Sequence, residues 1–246
     1  MSPRKALRLA TRSWCWRGLL GGVAAGVEHE HLRESCGELR TVVDIGANRG
    51  QFTLLARACF PAASILAFEP LAEPAAVFAR LFAGDPRVQL FRVAIGPQGG
   101  EAEMHVSARD DSSSLLPISA LQEDVFPGTA AIGTRRVPMA RLEQIVAPAT
   151  IESAALLKLD VQGFELSALR GCDSLLPRFA HVYAELSFVA LYDGQALAHE
   201  VIDHLHGRGF AITGAYNLVH DRAGRAVQAD FLFSRPPASA ASATLT

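Results

Sequence analysis

From residue 41 onward, short apolar runs alternate with stretches in which apolar residues recur at helical spacing. The apolar runs predict buried strands, at 41–46, 64–68, 88–95, 155–161 and 181–186. The stretches of helical periodicity predict helices, at 51–60, 72–83, 139–146, 164–170 (capped by Gly171) and 196–208. Strands that alternate with helices are typical of a parallel sheet covered on both faces.

The end of the chain departs from this alternation. Two further strands are predicted at 210–213 and 230–233, joined by a turn and not by a helix, which favours an antiparallel edge. The predicted fold is α/β and Rossmann-like, with a mostly parallel seven-stranded sheet, an antiparallel edge strand and helices on both faces. Residues 101–107 are predicted to extend the sheet edge, and the Pro- and Gly-containing segment 115–138 to be a long functional loop or lid.

Length and composition indicate one domain. The 246 residues are 50% hydrophobic, enough for a substantial core. The domain is predicted at 41–235, after an N-terminal helical extension at 1–40 and before a disordered tail at 236–246. A net charge of -2 argues against a nucleic-acid partner. Four cysteines without a Cys-x-x-Cys pair favour reduced thiols and a cytoplasmic location. The basic start leads into a short, Gly-rich apolar stretch, so neither a cleaved signal peptide nor a membrane span is predicted.

Polar residues follow the first predicted strand, at the edge where open α/β sheets bind ligands. The strand ends at Asp44 and leads into a turn with glycine at both ends, which lets the backbone approach a ligand closely. Asn48 stands where a dinucleotide-binding turn has its second glycine, and Asp44 would oppose a pyrophosphate but suit an ammonium group. The candidate cofactor-binding residues of this turn are Asp44, Gly46, Ala47, Asn48, Gly50 and Gln51.

A second acidic position completes this pattern. Glu69 ends the second predicted strand, about twenty residues after the turn, where a carboxylate can accept hydrogen bonds from both hydroxyls of a ribose. Pro70 follows it, and Ala94 ends the third predicted strand, where an adenine would lie. An ammonium, a ribose and an adenine without phosphate describe S-adenosylmethionine, which is the predicted cofactor. A nicotinamide-dependent oxidoreductase is the alternative that the missing glycine and Asp44 disfavour.

Three segments carry a family resemblance. Residues 43–52, 68–70 and 158–165 resemble the FkbM family of methyltransferases, and 22–31 is similar to the family's usual lead-in. The resemblance runs from about residue 22 to residue 235. It implies O-methylation, with S-adenosylmethionine as cofactor, of a hydroxyl on a sugar, a glycan precursor or a polyketide-type small molecule. A non-catalytic, cofactor-binding regulatory protein is the alternative from another class.

The fourth predicted strand ends close to where the transferred methyl group should lie. A hydroxyl is a weak nucleophile until it loses its proton, so a positioned base helps. Asp160 is the first candidate, as a base or as an orienting acceptor, with Glu165 and Glu185 as secondary candidates. Lys158 has either a substrate role or an ion pair with Asp160 that only fixes the loop. A divalent metal held by these carboxylates is an alternative that we do not expect.

Two further groups of polar residues have less specific interpretations. The serine-rich segment 112–114 either closes over the ligands or forms a solvated surface loop. The histidines fit no metalloprotease spacing, so surface or packing roles are predicted, for His29, His31, His199, His204 and His206.

Overall fold

The computed structural model describes residues 12–236. Its main element is a seven-stranded sheet with the order β3-β2-β1-β7-β8-β10-β9. The strands of this sheet are β1 Thr41–Ile45, β2 Ser64–Phe68, β3 Val88–Phe91, β7 Ala155–Leu159, β8 Phe179–Ser187, β9 Ala211–His220 and β10 Ala226–Ser234. The predicted α/β, Rossmann-like fold with seven mostly parallel strands is confirmed.

Helices cover both faces of the sheet, as predicted. They are α1 Ser13–Leu20, α2 Leu32–Cys36, α3 Gln51–Cys59, α4 Ala72–Leu81, α5 Ala120–Val125, α6 Leu142–Ile145, α7 Glu165–Cys172 and α8 Ala198–His206. Side chains from α2 and α3 pack with Val42 and Leu156 on one face, whereas side chains from α7 and α8 pack with Val43 and Leu157 on the other. Because β1 and β7 are buried on both faces, their residues are apolar apart from Thr41 and the paired charges of Asp44 and Lys158.

The closing hairpin is longer than predicted. Strands β9 and β10 pair with each other around a turn at residues 221–225, and β10 also pairs antiparallel with β8. The antiparallel strand β10 therefore lies second from the edge of the sheet, and β9 is the edge strand. Most residues of β9 are exposed, which weakens the apolar pattern from which a strand is recognised.

The middle of the chain differs most from the prediction. The predicted strand 88–95 divides at Arg92 and Val93 into β3 and a separate strand, β4 Ala94–Ile95. That strand joins β6 Ala131–Ala140 and β5 Gly100–Ser107 in a second, three-stranded sheet of order β4-β6-β5. The prediction that 101–107 extends the main sheet is therefore wrong.

Segment 115–138 is not a long loop, because it contains helix α5 and most of strand β6. The first six residues of β6 are exposed, so they lack the alternation that indicates a strand. The helix predicted at 139–146 is correspondingly shorter and begins at Leu142.

Gly171 lies within α7 and does not cap it. A Cβ atom at this position would collide with the carbonyl oxygen of Gly96, so this glycine allows the helix to pack closely on the loop after β4. Its role is close packing and not helix termination.

The N-terminal segment packs against the domain. The backbone N–H of Gly26 donates to the carbonyl of Gln51, with an N to O distance of 2.9 Å, and Leu32 and Cys36 join the core beneath α3. The rest of the predicted extension, residues 1–11, and nearly all of the predicted tail lie outside the described residues. Within residues 12–236, no helix is long and apolar enough to cross a membrane.

Candidate active site

A cavity of about 250 Å3 opens at the carboxyl ends of β1, β2 and β7. Its walls come from the turns that follow these strands, the N-terminal segment, the second sheet and the serine-rich segment. Seven of the nine predicted cofactor residues line it: Gly46, Ala47, Asn48, Gln51, Glu69, Pro70 and Ala94. Asp44 and Gly50 do not.

The turn after β1 has a backbone shape that its sequence dictates. Gly46 has a φ of +79°, and a Cβ atom there would collide with the carbonyl oxygen of Asp160. Asn48 also has a left-handed φ, +46°, which asparagine tolerates better than most residues. The N–H groups of Gly46 and Ala47 both donate to the carbonyl of Phe68, so the turn is fixed to the end of β2.

Gly50 serves packing and not ligand approach. Its φ is +97°, and a Cβ atom there would meet the ring of Phe82 at 2.5 Å. This glycine therefore lets the start of α3 pack on the aromatic side chains of the neighbouring helix α4. The prediction that it binds the cofactor is not supported.

Asp44 lies behind the turn and not in the cavity. Its carboxylate is fully buried, accepts a hydrogen bond of 2.7 Å from Thr53 Oγ1, and lies 3.1 Å from Lys158 Nζ. The predicted direct contact with an ammonium group is therefore absent from this arrangement, because the carboxylate already has a buried cation as its partner.

Lys158 lines the cavity and forms a buried ion pair with Asp44. Its ammonium donates to the carbonyl of Gly46 at 3.0 Å and is 3.8 Å from Asp160 Oδ2, farther than from Asp44. Burial alone would lower the pKa of Lys158, but the carboxylates of Asp44 and Asp160 raise it above its usual value. The side chain therefore stays charged and holds the glycine turn to β7, so the predicted pair with Asp160 is secondary to the pair with Asp44.

Glu69 is held rigidly at the mouth of the turn. Its side chain accepts hydrogen bonds from the backbone N–H of Asn48 at 3.0 Å and of Leu71 at 2.8 Å. A carboxylate can accept about four hydrogen bonds, so it can still bind hydroxyls in the cavity. Apolar side chains surround the space beyond it: Leu71, Val93, Ala94, Ile95, Met104, Leu115 and Phe164. A rigid acceptor beside an apolar slot fits a ribose joined to a flat base.

Asp160 is the most accessible carboxylate of the β7 end, with 41% of its side chain exposed. Its Oδ1 accepts a hydrogen bond of 2.7 Å from Gln162 Nε2. That amide also lies 3.3 Å from Glu185 Oε2, and its oxygen accepts from the hydroxyl of Tyr192 at 2.8 Å. Gln162 therefore fixes Asp160 in the cavity by joining it to strand β8 and to the loop that follows β8.

Glu185 lies behind this glutamine and does not line the cavity. Gln228 Nε2 donates to its Oε1 at 2.6 Å. Burial, followed by the negative charges of Asp160 and Asp230, raises the pKa of Glu185 well above its usual value. Because Glu185 does not line the cavity and its two oxygens accept from the amides of Gln162 and Gln228, the structure does not favour the predicted catalytic role.

Glu165, like Glu185, does not line the cavity. It is buried and accepts hydrogen bonds from the backbone N–H groups of Val161 and Gly163, at 3.0 and 3.2 Å. The side chain shapes the loop between β7 and α7. Burial raises its pKa to about 7, and the two N–H donors oppose that shift.

This pKa predicts a pH dependence of stability. A carboxyl group with a folded pKa above its unfolded value stabilises the fold below the unfolded pKa, and this contribution is lost as the pH rises through the folded pKa. We expect the unfolding free energy of the wild type, relative to Glu165→Gln, to fall between about pH 4.5 and about pH 7. The steepest slope is about 1.4 kcal/mol per pH unit. Urea denaturation across this range measures it, and parallel profiles for the two proteins would contradict the prediction.

The serine-rich segment is part of the cavity wall. Ser112 and Ser114 are buried, and the hydroxyl of Ser114 donates to the carbonyl of Gln162 at 2.7 Å. Ser113 lines the cavity, and its hydroxyl accepts from the N–H of Ser107. The solvated-loop interpretation is therefore wrong.

Residues 44–212, more than half of the chain, match the family description Methyltransferase FkbM domain. The chain belongs to the FkbM family of methyltransferases.

Curated members of the family are similar over most of their length. The chain is 29% identical over 175 residues to the 2-O-methyltransferase NoeI of Sinorhizobium fredii, which covers 67% of this chain and 70% of that protein. It is 28% identical over 196 residues to the 31-O-demethyl-FK506 methyltransferase FkbM of Streptomyces tacrolimicus, which covers 70% and 72% of the two chains. A solved rRNA methylase from Streptococcus thermophilus has a TM-score of 0.48 and 13% identity, over 86% of this chain and 95% of that one.

This FkbM-family protein is an S-adenosylmethionine-dependent methyltransferase, as predicted. The residues of the cavity fit that cofactor, since Glu69 and the apolar slot would hold the adenosine and the glycine turn would approach the amino-acid end. Neither the nicotinamide alternative nor the regulatory alternative is favoured by these matches. Among residues 12–236, no group of three or more His, Cys, Asp and Glu side chains is arranged to hold a metal ion.

Two polar residues at this site, His29 and Gln162, were not predicted from the sequence. His29, predicted to be a surface or packing residue, lines the cavity and contacts Tyr183 and Asp230. Gln162 organises the β7 end. His29 belongs to the lead-in segment that resembles the family, and this was the one signal that could have singled it out.

Proposed function

We propose that this FkbM-family protein transfers a methyl group from S-adenosylmethionine to a hydroxyl of a sugar, a glycan precursor or a polyketide-type small molecule. One observation carries the proposal: a single cavity contains both the Glu69 carboxylate, which suits a ribose, and the half-exposed Asp160 carboxylate, which suits a hydroxyl. The two curated relatives support the class of acceptor, because both of their names describe methylation of oxygen.

The residues of the cavity would act mainly by positioning. Bound S-adenosylmethionine supplies an electrophilic methyl group, which needs a nucleophile aligned opposite its sulfur. Asp160 would accept a hydrogen bond from the acceptor hydroxyl and orient its oxygen toward the methyl group. Gln162 would hold Asp160 in that position, because its amide donates to the carboxylate at 2.7 Å. Ser113 and Leu115 of the neighbouring wall would exclude water from the cavity.

Cofactor binding is the first test of this proposal. We expect S-adenosylmethionine and its demethylated product to bind with micromolar affinity in calorimetry, and NAD not to bind. The cavity offers a carboxylate for the ribose and no built site for a pyrophosphate, because Asn48 occupies the position of the second glycine. Binding of NAD but not of S-adenosylmethionine by folded protein would refute the assignment.

The acceptor is tested separately. Tritium transfer from S-[methyl-3H]adenosylmethionine should be screened against free sugars, nucleotide sugars, chitin oligomers and hydroxylated macrolides. Label on an oxygen of any of these compounds would support the proposal and identify the class. Label on nitrogen or carbon only, in protein that binds the cofactor, would contradict O-methylation. The cytoplasm is the predicted compartment for this reaction.

A further inference from the structure

One cluster, which reaches the cavity through His29, has no part in the function proposed so far. It consists of His29, Asp230, Tyr183 and Asn217, and we call it the histidine cluster. Nδ1 of His29 lies 2.9 Å from the hydroxyl oxygen of Tyr183 and 3.3 Å from Asp230 Oδ2. Asn217 Nδ2 lies farther away, 3.4 Å from the same ring nitrogen.

The hydrogen bonds within the histidine cluster determine which ring nitrogen carries the proton. Asp230 Oδ2 accepts the hydroxyl proton of Tyr183 at 2.9 Å and an amide proton of Asn217 at 2.6 Å. The single proton of Tyr183 is therefore used, and its oxygen can only accept from His29. A carboxylate can also only accept. Nδ1 of His29 must accordingly be the protonated nitrogen, which leaves a lone pair on Nε2 in the neutral ring.

The charge of Asp230 supports this arrangement. Burial alone would raise its pKa, but the hydrogen bond from His29 and the charge of that ring when protonated, followed by the hydrogen bonds from Asn217 and Tyr183, lower it below its usual value. The carboxylate is therefore ionised, and only 8% of its side chain is exposed. An ionised partner at Nδ1 stabilises an imidazolium that forms when Nε2 accepts a proton, as in other carboxylate–histidine pairs.

The ring is also held in place from its sides. Phe52 and Tyr183 meet it edge-on, with ring centroids 5.8 and 5.5 Å away. His29 itself is 20% exposed and lines the cavity together with Gly26 and Glu28. Glu28 Oε1 is 4.0 Å from Nε2, too far for a hydrogen bond. A fixed imidazole that lines the cavity has the features of a general base whenever its Nε2 carries no proton.

We propose that His29 is the general base of the methyl transfer, and that Asp230 is the residue that positions it. As the acceptor oxygen forms its bond to the methyl carbon, the carbon–sulfur bond breaks and its electron pair stays on sulfur. The hydroxyl proton moves to Nε2 of His29, and the products are the methyl ether, the neutral thioether and an imidazolium paired with Asp230. The imidazolium then loses its proton to solvent.

In this assignment, Asp160 orients the acceptor hydroxyl and His29 accepts its proton. Asp160 is engaged by the amide of Gln162 and lies 3.8 Å from the Lys158 ammonium, which suits a group that orients the hydroxyl. His29 lines the same cavity from the N-terminal segment. The inference rests on the proposed function, because it needs an acceptor hydroxyl in the same cavity.

The tautomer of His29 provides a test that needs no acceptor. In 15N-histidine-labelled protein, about two pH units above the usual histidine pKa, long-range 1H–15N spectra distinguish a protonated Nδ1 from a protonated Nε2. Ring contacts to Phe52 and Tyr183 assign the signal in the wild type, so the result does not depend on the folding of a variant. We expect the Nδ1–H tautomer, and we expect Asp230→Asn to reduce its share. The Nε2–H tautomer in the wild type would overturn the proposal.

Cofactor affinity separates this role from a binding role. An imidazolium could instead hold the carboxylate of the cofactor's amino-acid end. We expect His29→Gln to bind S-adenosylmethionine within about twofold of the wild type, as should the matched control His31→Gln, whose ring stacks on Tyr216 outside the cavity. Binding weakened tenfold or more by His29→Gln alone would show that His29 binds the cofactor and would overturn the assignment of a base. A wild type that binds no S-adenosylmethionine would instead refute the proposed function, whatever the tautomer.

Discussion

Replacing Glu69 with alanine is expected to weaken S-adenosylmethionine binding about 100-fold or more. The carboxylate lines the cavity and is oriented by two backbone N–H donors, so it pays little entropy to accept hydrogen bonds from a ribose. Hydrogen bonds to a charged group contribute about 1.5–3 kcal/mol each, and two of them account for a loss of this size. Calorimetric titration of wild type and variant with S-adenosylmethionine measures it.

Two variants control this experiment. Glu73→Ala removes an exposed carboxylate on the adjacent helix α4, outside the cofactor cavity, and should leave the affinity unchanged. Glu69→Gln retains one acceptor oxygen and should lose less affinity than Glu69→Ala. If Glu69→Ala binds as tightly as the wild type, the ribose is not held at the end of β2 and the orientation of the cofactor must be revised.

Replacing Lys158 with methionine is expected to reduce the unfolding free energy by about 3–5 kcal/mol. The variant leaves the Asp44 carboxylate buried without its cation, and removal of one partner of a buried ion pair costs about this much. It also removes the hydrogen bond to the carbonyl of Gly46, which loosens the glycine turn. Urea denaturation followed by circular dichroism gives the free energy of unfolding.

The double variant Lys158→Met with Asp44→Asn identifies the cause. Without a buried charge, it should be more stable than Lys158→Met alone by about 1 kcal/mol or more, since a neutral amide costs less to bury. The pair of Arg225, whose side chain is 77% exposed, and Asp221 offers the comparison at the surface, and Arg225→Met should leave stability unchanged within error. Equal destabilisation of the single and double variants would mean that lost packing, and not the unpaired charge, is responsible.

Periodicity was sufficient to predict the main sheet. Strands β1, β2 and β7 are buried on both faces, so nothing competes with their apolar pattern. It failed in 88–140, where the chain leaves the main sheet after the four residues of β3 and builds a small second sheet whose strand β6 is largely exposed. An exposed strand is stabilised by its backbone hydrogen bonds. These bonds do not depend on apolar side chains, so the hydrophobic pattern of the sequence does not reveal the strand.

The sequence was sufficient to predict those site residues whose role follows from their position at the end of a single strand. Glu69 and Asp160 line the cavity at the ends of β2 and β7, as their positions suggested. Asp44 was placed in the cavity, but its side chain turns toward Lys158, and the partner of a buried charge cannot be read from spacing. The pair of His29 and Asp230 joins residues 201 positions apart, so only the folded chain brings them together.

One wall of the cavity comes from outside the family match, and a residue beyond the other end of the match supports it. Gly26, Glu28 and His29 lie before the family match at residues 44–212, and Asp230 lies after it. A fragment trimmed to the matched region would keep the glycine turn and Glu69 but lose one wall and the strand that supports it. Attempts to alter acceptor preference by exchanging segments between relatives should therefore transfer the lead-in and the closing hairpin together, because each is incomplete without the other.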